Sequence, residues 1–368
     1  MAPSVALAHD YLTQRGGAER VALELTRAFP GAPMYTSLYV PEATFPGFAD
    51  VDVRPSWLNQ VRPLRQRHRL ALPFYAPAVG SLRPREDVLF VSSSGWAHLV
   101  PTEGRKIVYC HNPPRWLYQS DEYLAGHRLA RAGLEATLWP RLRRLDRRSA
   151  AEADVYLANS HNVARRIRQR YRREVHAVIH PPVSADLLAA SPSDVGLPRA
   201  VREAEPFVLV VSRLLPYKNV EFVLAAAEAT PERTFVVVGD GPLRELMVRR
   251  APANVRWLRS VTDAQLAWLY AAAGCLLAAS FEDLGLTPPE AASFGTPTLA
   301  LRAGGYLETV VEGASGWFFD ALDVREMQAG LRELDRLALP ADDVRRHAEP
   351  FAPATFRTAV TDLLAAVV

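Results

Sequence analysis

The chain has 368 residues, more than one ordinary domain holds, and 49% of them are hydrophobic, so we expect two folded domains. No apolar stretch approaches the roughly 18 to 20 residues of a membrane span, and the N-terminus lacks the charged start and long apolar core of a signal peptide, which is typical of a cytoplasmic protein. The formal net charge of +3 is modest, although the charges are unevenly placed.

Short strand-like runs alternate with helical stretches along the whole chain, a pattern that predicts parallel sheets flanked by helices. Strands are predicted at 5–10, 33–40, 87–94, 106–112, 154–160 and 175–181 and, in a second series, at 207–211, 234–241, 255–261, 274–280, 296–300 and 317–320. The stretch 184–206 shows no strong strand period, and we interpret it as a linker. We therefore predict an α/β protein with an N-terminal domain, 1–195, a C-terminal domain, 196–350, and a C-terminal helix, 351–368, for which a return to the N-terminal domain stays open.

The first predicted strand is followed by a loop with two adjacent glycines, Gly16 and Gly17, and then by a helix. Glycines let a ligand approach the backbone, and the free N–H groups of a helix start attract anions. Many such pairs are ordinary turns, but ligands of open α/β sheets bind at the carboxyl ends of strands. Both glycines are therefore candidates for binding an anion.

Two later segments of the first domain are rich in arginine. The stretch 57–85 mixes apolar side chains with Arg62, Arg65, Arg67, His68 and Arg69, which suits a lipid-phosphate carrier at a membrane face and equally suits ordinary core packing. Between residues 128 and 173, thirteen arginines stand against four acidic residues. An anionic membrane surface and solvated helix faces both explain this excess, whereas nucleic acid is disfavoured because the segment has no zinc-finger or RRM signature and few aromatic residues.

Neither the cysteines nor the acidic residues predict a metal site. Cys110 and Cys275 lie in apolar strand-like runs and are interpreted as buried thiols rather than as a disulfide or a metal-binding pair. Asp50 and Asp52 form an Asp-x-Asp sequence that we interpret as a loop rather than a metal clamp. We predict no cofactor and no bound metal.

Only two of the 43 basic residues are lysines, and one of them, Lys218, lies in the same loop as Arg213, directly after the strand 207–211. A compact ammonium in a chain that otherwise uses arginine indicates a position that needs a point charge. A strand that leads an arginine and a lysine into one loop predicts an anion site, and phosphate is the expected anion.

The run 236–242 places Gly239 and Gly241 after another predicted strand. It lacks the third glycine of a dinucleotide-binding sequence, so a NAD site is disfavoured. A glycine turn beside a nucleotide and a purely structural turn both remain open.

Two glutamates, Glu282 and Glu290, flank Gly285 and a predicted helix start. Glu282 follows the strand 274–280, in the loop where an α/β ligand is expected, and a carboxylate accepts hydrogen bonds from sugar or ribose hydroxyls. Glu290 stands three residues after Thr287, which is the spacing of a helix-capping box, so a purely structural role is its alternative. A phosphate site followed by hydroxyl-binding carboxylates indicates a nucleotide sugar.

In these residues the chain resembles the retaining glycosyltransferases of the GT-B fold in glycosyltransferase family 4. The resemblance covers most of the chain and rests on the order and spacing of Gly16-Gly17-Ala18-Glu19-Arg20, His111-Asn112-Pro113-Pro114, Ala158-Asn159-Ser160, Val178-Ile179-His180-Pro181-Pro182-Val183, Arg213 with Lys218, Val238-Gly239-Asp240-Gly241-Pro242, Glu282 with Glu290, Gly295-Thr296-Pro297, Gly304-Gly305 and Glu308. It implies two Rossmann-like domains that face each other across a cleft.

The resemblance also implies roles for the donor-site residues. Arg213 and Lys218 would hold the donor diphosphate, Glu282 the donor sugar and Glu290 the ribose, and the remaining donor contacts would come from Gly16, Gly17, Gly239, Gly241, the backbone of Leu284, Gly285 and Leu286, and base contacts around Arg259 to Val261. Leu284 stands where the family commonly has phenylalanine. Because the cations would stabilise the departing diphosphate, no metal is expected. The resemblance implies retention of anomeric configuration, and we assign no protein nucleophile.

The string Tyr109 to Tyr118 resembles the GDP-mannose-dependent mannosyltransferases of bacterial polysaccharide assembly. In that comparison His111 faces the sugar, with a core histidine as its alternative. Arg115, Trp116 and Tyr118 are predicted to bind the acceptor, and contact of Arg115 and Trp116 with the donor stays open. We therefore expect a hexosyltransferase that moves mannose from GDP-mannose to a sugar or lipid-linked glycan, with peripheral contact to the inner membrane face and no nucleic-acid partner. A UDP- or dTDP-sugar donor, a sugar-nucleotide epimerase and a binding protein are the alternatives.

Overall fold

The structure of the protein is a computed structural model that describes residues 3–66, 71, 74–118, 138–204 and 206–368. The chain forms two compact units. The first unit comprises Met1–Pro181 together with Phe356–Val368, and the second comprises Pro182–Thr355. Each unit is built on its own parallel sheet.

The first unit contains a seven-stranded sheet in the order β3-β2-β1-β4-β5-β6-β7. Its strands are β1 (Val5–His9), β2 (Met34–Thr36), β3 (Val53–Pro55), β4 (Val88–Ser93), β5 (Arg105–Cys110), β6 (Val155–Ala158) and β7 (Ala177–Val178). Its α-helices span Gly17–Ala28, Arg62–Gln66, Tyr75–Val79, Arg115–Tyr118, Trp139–Glu152 and His161–Tyr171, and the helix Pro353–Val367 joins them from the end of the chain.

The central strand β4 is buried on both faces. Leu89 and Val91 belong to one apolar cluster, whereas Val88 and Phe90 belong to another, because successive side chains of a strand point to opposite faces. Burial on both faces explains why the sequence of this strand is a continuous apolar run. The sheet order reverses between β1 and β4, and the carboxyl ends of these two strands mark the position at which doubly wound proteins bind ligands.

The second unit contains a six-stranded sheet in the order β10-β9-β8-β11-β12-β13. Its strands are β8 (Phe207–Val211), β9 (Phe235–Val238), β10 (Val255–Leu258), β11 (Ala273–Ala278), β12 (Thr298–Leu301) and β13 (Gly316–Phe319). Its α-helices span Ala185–Ala189, Arg199–Arg202, Val220–Glu228, Arg244–Arg250, Asp263–Ala272, Thr287–Ser293, Tyr306–Thr309, Val324–Leu337 and Ala341–Arg346. Here the order reverses between β8 and β11.

These two parallel sheets confirm the predicted α/β class with two Rossmann-like domains. Single strands differ from the prediction: the run 33–40 is a strand only at Met34–Thr36, and 175–181 only at Ala177–Val178. The strand Val53–Pro55 was not predicted. Two of its three residues are exposed at the sheet edge, so its sequence carries no apolar run.

The stretch 184–206 is packed structure, and its interpretation as a linker was wrong. It holds the helices Ala185–Ala189 and Arg199–Arg202, and the buried side chains of Leu187, Leu197 and Val201 belong to a core cluster of the second unit. The three apolar residues are unevenly spaced among turn-forming residues, and for this reason the sequence shows no period.

The C-terminal helix Pro353–Val367 packs into the core of the first unit. Phe356, Val360 and Leu364 recur at four-residue spacing and lie in the same apolar cluster as Leu7. In addition, Nη1 of Arg357 donates a hydrogen bond of 2.8 Å to Oε2 of the buried Glu24. One apolar face and one ion pair therefore hold this helix against the first unit.

Neither cysteine forms a disulfide, and both are buried, as predicted. Burial raises the pKa of the Cys275 thiol to about 12, so this thiol stays protonated at neutral pH. Among the described residues, no helix combines the length and the apolar character needed to cross a lipid bilayer.

Candidate functional site

In the second unit, Lys218 and Glu282 meet at the carboxyl ends of β8 and β11. The Lys218 ammonium donates a hydrogen bond to Oε1 of Glu282, and both side chains are largely buried, with 13% and 18% of their surface exposed. The loop of Lys218 is tied to the end of β11 by Asn219, whose Nδ2 donates to the carbonyl of Ala279 at 2.8 Å. The predicted phosphate-binding lysine and the predicted sugar-binding glutamate are therefore neighbours at the point where the sheet order reverses.

Tyr217 links the two cations of this loop. Nη2 of the exposed Arg213 donates to the Tyr217 hydroxyl at 3.1 Å, and the Lys218 ammonium lies 5.1 Å from the centroid of the same ring. A cation at this distance is attracted to the negative face of an aromatic ring. Tyr217 thus contacts both cations of this loop, and the sequence did not identify this role.

A second carboxylate of this unit, Glu290, is buried in the helix Thr287–Ser293. The alternative of a capping box is wrong, because Leu286 and not Thr287 is the residue before the helix and no side chain caps it. Instead, Oε2 of Glu290 accepts a hydrogen bond of 2.9 Å from the hydroxyl of Tyr270. The side chain of Glu290 is held by the neighbouring helix rather than by its own first turn.

The loop between the two glutamates depends on glycine. Gly285 has a φ of +83°, and a Cβ atom there would lie 2.4 Å from the ring of Tyr306. Leu284 is buried in a cluster with Val183 and Phe351, so this leucine fills an apolar position in the loop. The backbone of 284–286 is thereby fixed against the rest of the second unit.

The glycine turn after β9 packs directly on the loop of Arg213. A Cβ atom on Gly239 would lie 1.9 Å from the carbonyl oxygen of Ser212, and one on Gly241 would lie 2.6 Å from that of Leu214. Both glycines are therefore required for close backbone packing, which is the structural alternative raised from the sequence. A role beside a nucleotide stays a prediction.

Of the predicted base contacts, Arg259 ion-pairs with Asp240 at the surface, with 2.8 Å between Nε and Oδ2. Val261 packs against the apolar cluster of the second unit just before the helix Asp263–Ala272. Both residues follow β10, so they lie at the same edge of the sheet as the glycine turn after β9.

In the first unit, the corresponding reversal point carries a hydrogen-bonded chain of three buried side chains. Nδ1 of His9 lies 3.0 Å from Oγ of Ser92, and the same hydroxyl lies 2.8 Å from Nε2 of His111. Asp10 binds the adjacent loop, since its two carboxylate oxygens accept from the backbone N–H groups of residues 94, 96 and 97. His111 was predicted, whereas His9, Asp10 and Ser92 were missed.

The position of His9 and Ser92 contains the signal that the sequence reading overlooked. His9 ends β1 and Ser92 is the last residue but one of β4, and the two strands are neighbours in the sheet with these residues in register. Polar residues at the carboxyl ends of neighbouring strands converge, so the pairing of His9 with Ser92 follows once the strand order is known.

The glycine turn at the start of the helix Gly17–Ala28 faces a buried carboxyl. Glu19 is 2% exposed, its Oε1 accepts from Nε2 of Gln14 at 2.9 Å, and its Oε2 has no hydrogen-bond partner in the part of the chain described. A Cβ atom on Gly16 would lie 2.4 Å from this Oε2. Burial raises the pKa of Glu19, and the opposing effect of His9 is smaller. Burial therefore disfavours a negative charge on the carboxyl that lies behind the predicted anion-binding turn.

The three predicted acceptor residues have different surroundings. Arg115 is half-buried at the start of a short helix, and the ring of Trp116 lies 5.2 Å from that of Trp96 between centroids. The hydroxyl of Tyr118 donates a hydrogen bond of 2.8 Å to Oδ2 of Asp146, and Oδ1 of the same carboxylate lies 3.0 Å from Nε2 of His98. The polar group of Tyr118 is therefore committed to an internal contact.

Several arginines of the basic stretch 128–173 have structural contacts. Nη2 of Arg143 donates 2.9 Å to the carbonyl of Leu117, Nη1 of Arg173 donates 2.7 Å to that of Ala150, and Nη1 of Arg166 donates 3.1 Å to the side chain of Asn112. The residues 128–137 lie outside the described part of the chain. Structural hydrogen bonds of these three arginines therefore explain part of the excess of positive charge in the stretch 128–173.

The stretch 57–85 contributes both core and surface. Leu58, Tyr75 and Leu82 are buried in the apolar cluster of the first unit, whereas Trp57 and Phe74 are each 43% exposed. Arg67, His68 and Arg69 lie outside the described residues. Core packing therefore accounts for much of the apolar content of this stretch.

Comparison with known families assigns both halves of the chain. Residues 15–187 match the family described as Glycosyltransferase Family 4, and residues 198–347 match the family described as Glycosyl transferases group 1. All of the predicted site residues fall within these two ranges: those from Gly16 to Tyr118 lie in the first, and those from Arg213 to Glu290 lie in the second.

Curated relatives match over part of their length. A glycogen synthase of Thermus thermophilus is 32% identical over 155 residues, which are 40% of this chain and 36% of that protein. A D-inositol 3-phosphate glycosyltransferase of Streptomyces avermitilis is 32% identical over 247 residues, which are 59% of this chain and 52% of that protein. The matches thus span between about a third and about half of these relatives.

Solved structures match over nearly the whole chain. The Anabaena protein HepE in complex with UDP has a TM-score of 0.71 at 20% identity and covers 99% of this chain and 100% of its own. A sucrose-phosphate synthase from Thermosynechococcus elongatus has a TM-score of 0.72 at 17% identity, with 99% of each chain covered. At such identities the likeness carries the fold, and with the two family matches it shows that the chain is a GT4-like glycosyltransferase of the GT-B fold.

Proposed function

We propose that the protein is a retaining hexosyltransferase that takes its sugar from a nucleoside diphosphate sugar and passes it to a sugar or lipid-linked glycan. The observation that carries this proposal is the pairing of Lys218 with Glu282 at the carboxyl ends of β8 and β11. A phosphate-binding cation and a hydroxyl-binding carboxylate in contact suit a ligand in which a phosphate is bonded to a sugar.

Lys218 can serve the diphosphate while it contacts Glu282, because an ammonium has three N–H donors. When the bond between sugar and diphosphate breaks, negative charge builds up on the leaving phosphate. Arg213 and Lys218, which both contact Tyr217, would stabilise that charge. In this proposal the two cations stabilise the leaving diphosphate in place of a bound metal ion.

The remaining donor contacts follow the roles expected from the family. Glu282 would hold sugar hydroxyls, and Glu290, fixed by Tyr270, would hold the ribose. The backbone of the loop 284–286 would reach the sugar and the phosphate, with the Gly239 and Gly241 turn beside the nucleotide.

Residues of the first unit would serve the acceptor and the reacting sugar. His111, connected through Ser92 to His9, would face the sugar, and the turn at Gly16 and Gly17 would approach the phosphates. Arg115 and Trp116 would bind the acceptor with their side chains. Tyr118 would contribute its ring, because its hydroxyl is bonded to Asp146.

Two donors are proposed, each on its own observation. The string Tyr109 to Tyr118 favours GDP-mannose, by resemblance to the mannosyltransferase subgroup. The Anabaena neighbour, solved with UDP and with UDP-glucose, favours a UDP-hexose. Incubating the protein with a panel of GDP-, UDP- and dTDP-sugars and following nucleotide release decides between them.

The same incubation separates transfer from the two alternatives. A transferase releases nucleotide in an acceptor-dependent manner, and a retaining one gives a product with the anomeric configuration of the donor, which NMR reads directly. Isomerised sugar nucleotide without acceptor-dependent release would instead identify an epimerase. Tight binding of a sugar nucleotide with neither outcome would identify a binding protein.

We also propose a cytoplasmic location with peripheral contact to the anionic inner face of the membrane. The exposed rings of Trp57 and Phe74, in a stretch that also carries arginines, support it. Binding to vesicles with anionic lipid should exceed binding to neutral vesicles and weaken with salt, because surface charges are screened beyond roughly 8 Å at physiological ionic strength. Equal binding to both kinds of vesicle contradicts this contact.

A further inference from the structure

The carboxylate of Glu282 is the end of a chain of hydrogen bonds that begins deep in the second unit. Oγ of Ser280 donates to Oε1 of Glu282 at 2.7 Å, and the same Oγ lies 2.9 Å from the hydroxyl of Tyr306. Tyr306 is 2% exposed and packs in a core cluster with Ala278 and Ala300. The sequence singled out Glu282 but neither Ser280 nor Tyr306.

The directions of these bonds follow from the groups involved. A carboxylate paired with the ammonium of Lys218 only accepts, so the hydroxyl of Ser280 gives its single hydrogen to Glu282. The oxygen of Ser280 is then the acceptor for Tyr306. Burial, followed by the charge of Glu282, raises the pKa of Tyr306, which keeps the phenol protonated and able to donate.

Residues around Tyr306 also contact the loop that contains Glu282 and Gly285. The ring of Tyr306 occupies the space above the Cα of Gly285, and N–H of Gly305 donates 2.9 Å to the carbonyl of Glu282. A Cβ atom on Gly305 would lie 2.1 Å from the Cα of Leu284. Both the main chain and the side chain of Glu282 are therefore fixed by the segment 304–306.

We propose that Tyr306 and Ser280 are positioning residues that orient Glu282 toward the sugar of the donor and so determine which hexose the protein accepts. The inference rests on the proposed function, since it assigns Glu282 to the sugar. Hexoses that differ in the configuration of one hydroxyl present that hydroxyl in different directions. A carboxylate locked in one orientation discriminates between them, and a released one does not.

The test uses Tyr306→Phe, which keeps the ring against Gly285 and removes only the hydroxyl, and Ser280→Ala, which removes the donor to Glu282. We expect kcat/KM for the preferred sugar nucleotide to fall about tenfold in the first and by about 10- to 100-fold in the second, because a bond to a charged group contributes more than a neutral one. The preference between two epimeric hexoses should shrink in both, whereas affinity for the free nucleoside diphosphate stays within about twofold of the wild type.

Two further variants test whether Tyr306 acts on Glu282 through Ser280 or whether the two residues act independently. Ser280→Thr retains a hydroxyl and should restore most of the selectivity that Ser280→Ala loses. The double variant Ser280→Ala/Tyr306→Phe should have the same kcat/KM and sugar preference as Ser280→Ala alone. Without the hydroxyl of Ser280, Tyr306 is no longer connected to Glu282. Tyr35→Phe is the matched control, since Tyr35 is also buried and its hydroxyl accepts from Arg54 at 2.9 Å in the other unit.

Additive losses in the double variant, or unchanged sugar preference in Tyr306→Phe, overturn the proposal. Failure of the proposed function gives a different result, namely no transfer by the wild type from any donor. In that case calorimetry still decides about positioning: the variants should lose affinity for the sugar nucleotide relative to the free nucleotide, and equal losses for both ligands would refute the role of the chain.

Discussion

The hydroxyl of Tyr270 donates a hydrogen bond of 2.9 Å to Oε2 of Glu290, and both side chains are buried. Glu282, by contrast, is bonded to Lys218 and Ser280 in a loop. The two glutamates therefore belong to different local structures although only seven residues separate them. One is fixed by a phenol from a neighbouring helix, and the other by a cation and a hydroxyl at the ends of strands.

This difference predicts that the two glutamates respond differently to substitution. Glu290→Ala should weaken binding of the free nucleoside diphosphate and lower the free energy of unfolding by about 1 to 3 kcal/mol, because it leaves the buried Tyr270 hydroxyl without this acceptor. Glu282→Gln should mainly lower kcat and leave nucleotide affinity close to that of the wild type. Calorimetric titration of GDP and UDP, with thermal melts alongside, measures both effects.

Tyr270→Phe is the control for the stability effect of Glu290→Ala. It removes the donor and keeps the ring stacked on Phe294, whose centroid is 5.8 Å away. If Glu290→Ala binds nucleotide like the wild type while Glu282→Gln does not, the assignments of sugar and ribose are reversed.

Removal of the Lys218 ammonium should be among the most damaging changes to turnover. Lys218→Ala should reduce kcat by about 10²- to 10³-fold, or roughly 3 to 4 kcal/mol, because one preorganised contact to the departing diphosphate is lost. Arg213→Ala should have an effect of the same kind while leaving the melting temperature unchanged, since Arg213 is exposed. Steady-state kinetics and thermal melts test both variants.

Arg233→Ala serves as the control for loss of a positive charge, because Arg233 ion-pairs with Asp335 elsewhere in the second unit. Its turnover should stay near that of the wild type. Turnover of Lys218→Ala within a few-fold of the wild type would remove the assignment of Lys218 to the diphosphate.

Because Arg213 and Lys218 supply the positive charge in the proposed reaction, a divalent cation should be unnecessary. Nucleotide release should therefore proceed at an unchanged rate after treatment with excess EDTA. Loss of activity with EDTA, reversed by Mg²⁺ or Mn²⁺, would show that the cations of the chain do not suffice.

The sequence predicts those parts of the site in which each residue closely follows a recognisable strand. Lys218 and Glu282 each follow a strand, and in a parallel sheet such positions lie at one edge, so their proximity follows from the pattern. The pairing of Ser280 with Tyr306 was missed although these residues also follow neighbouring strands, β11 and β12, because neither side chain carries a charge that marks it in the sequence. The capping box was wrong because Leu286 already has a helical conformation, so the helix begins at Thr287 and this residue is the first of the helix rather than its N-cap.

The sequence also does not predict which single ionisable residue becomes buried. Glu19 stands in the first turn of a helix, where acidic residues are common and usually exposed. In the structure this helix packs its first turn against the sheet, and Glu19 becomes one of the most buried acidic residues described. The consequence is a pH dependence that composition could not predict.

Glu19 should make the protein less stable as the pH rises. Burial raises the pKa of Glu19 in the folded state, despite the opposing effects of His9 and of hydrogen bonds to its carboxyl, while Asp10 adds to the rise. Below the pKa of the unfolded state both states hold the proton, and stability is highest. Between the two pKa values the unfolded chain binds fewer protons than the folded one, so the free energy of unfolding falls with pH and then stays low above the folded pKa.

Glu19→Gln removes this titration and keeps the oxygen that accepts from Gln14. Relative to the wild type, the variant should gain stability as the pH is raised through and above the usual pKa of a glutamate, by about 1.4 kcal/mol for each unit by which folding raises the pKa of Glu19. Urea unfolding at several pH values measures the difference, with Glu232→Gln as an exposed control that should show no such trend. A difference between Glu19→Gln and the wild type that is the same at every pH would mean that folding does not alter the protonation of Glu19, and that the turn at Gly16 is backed by a charged carboxylate.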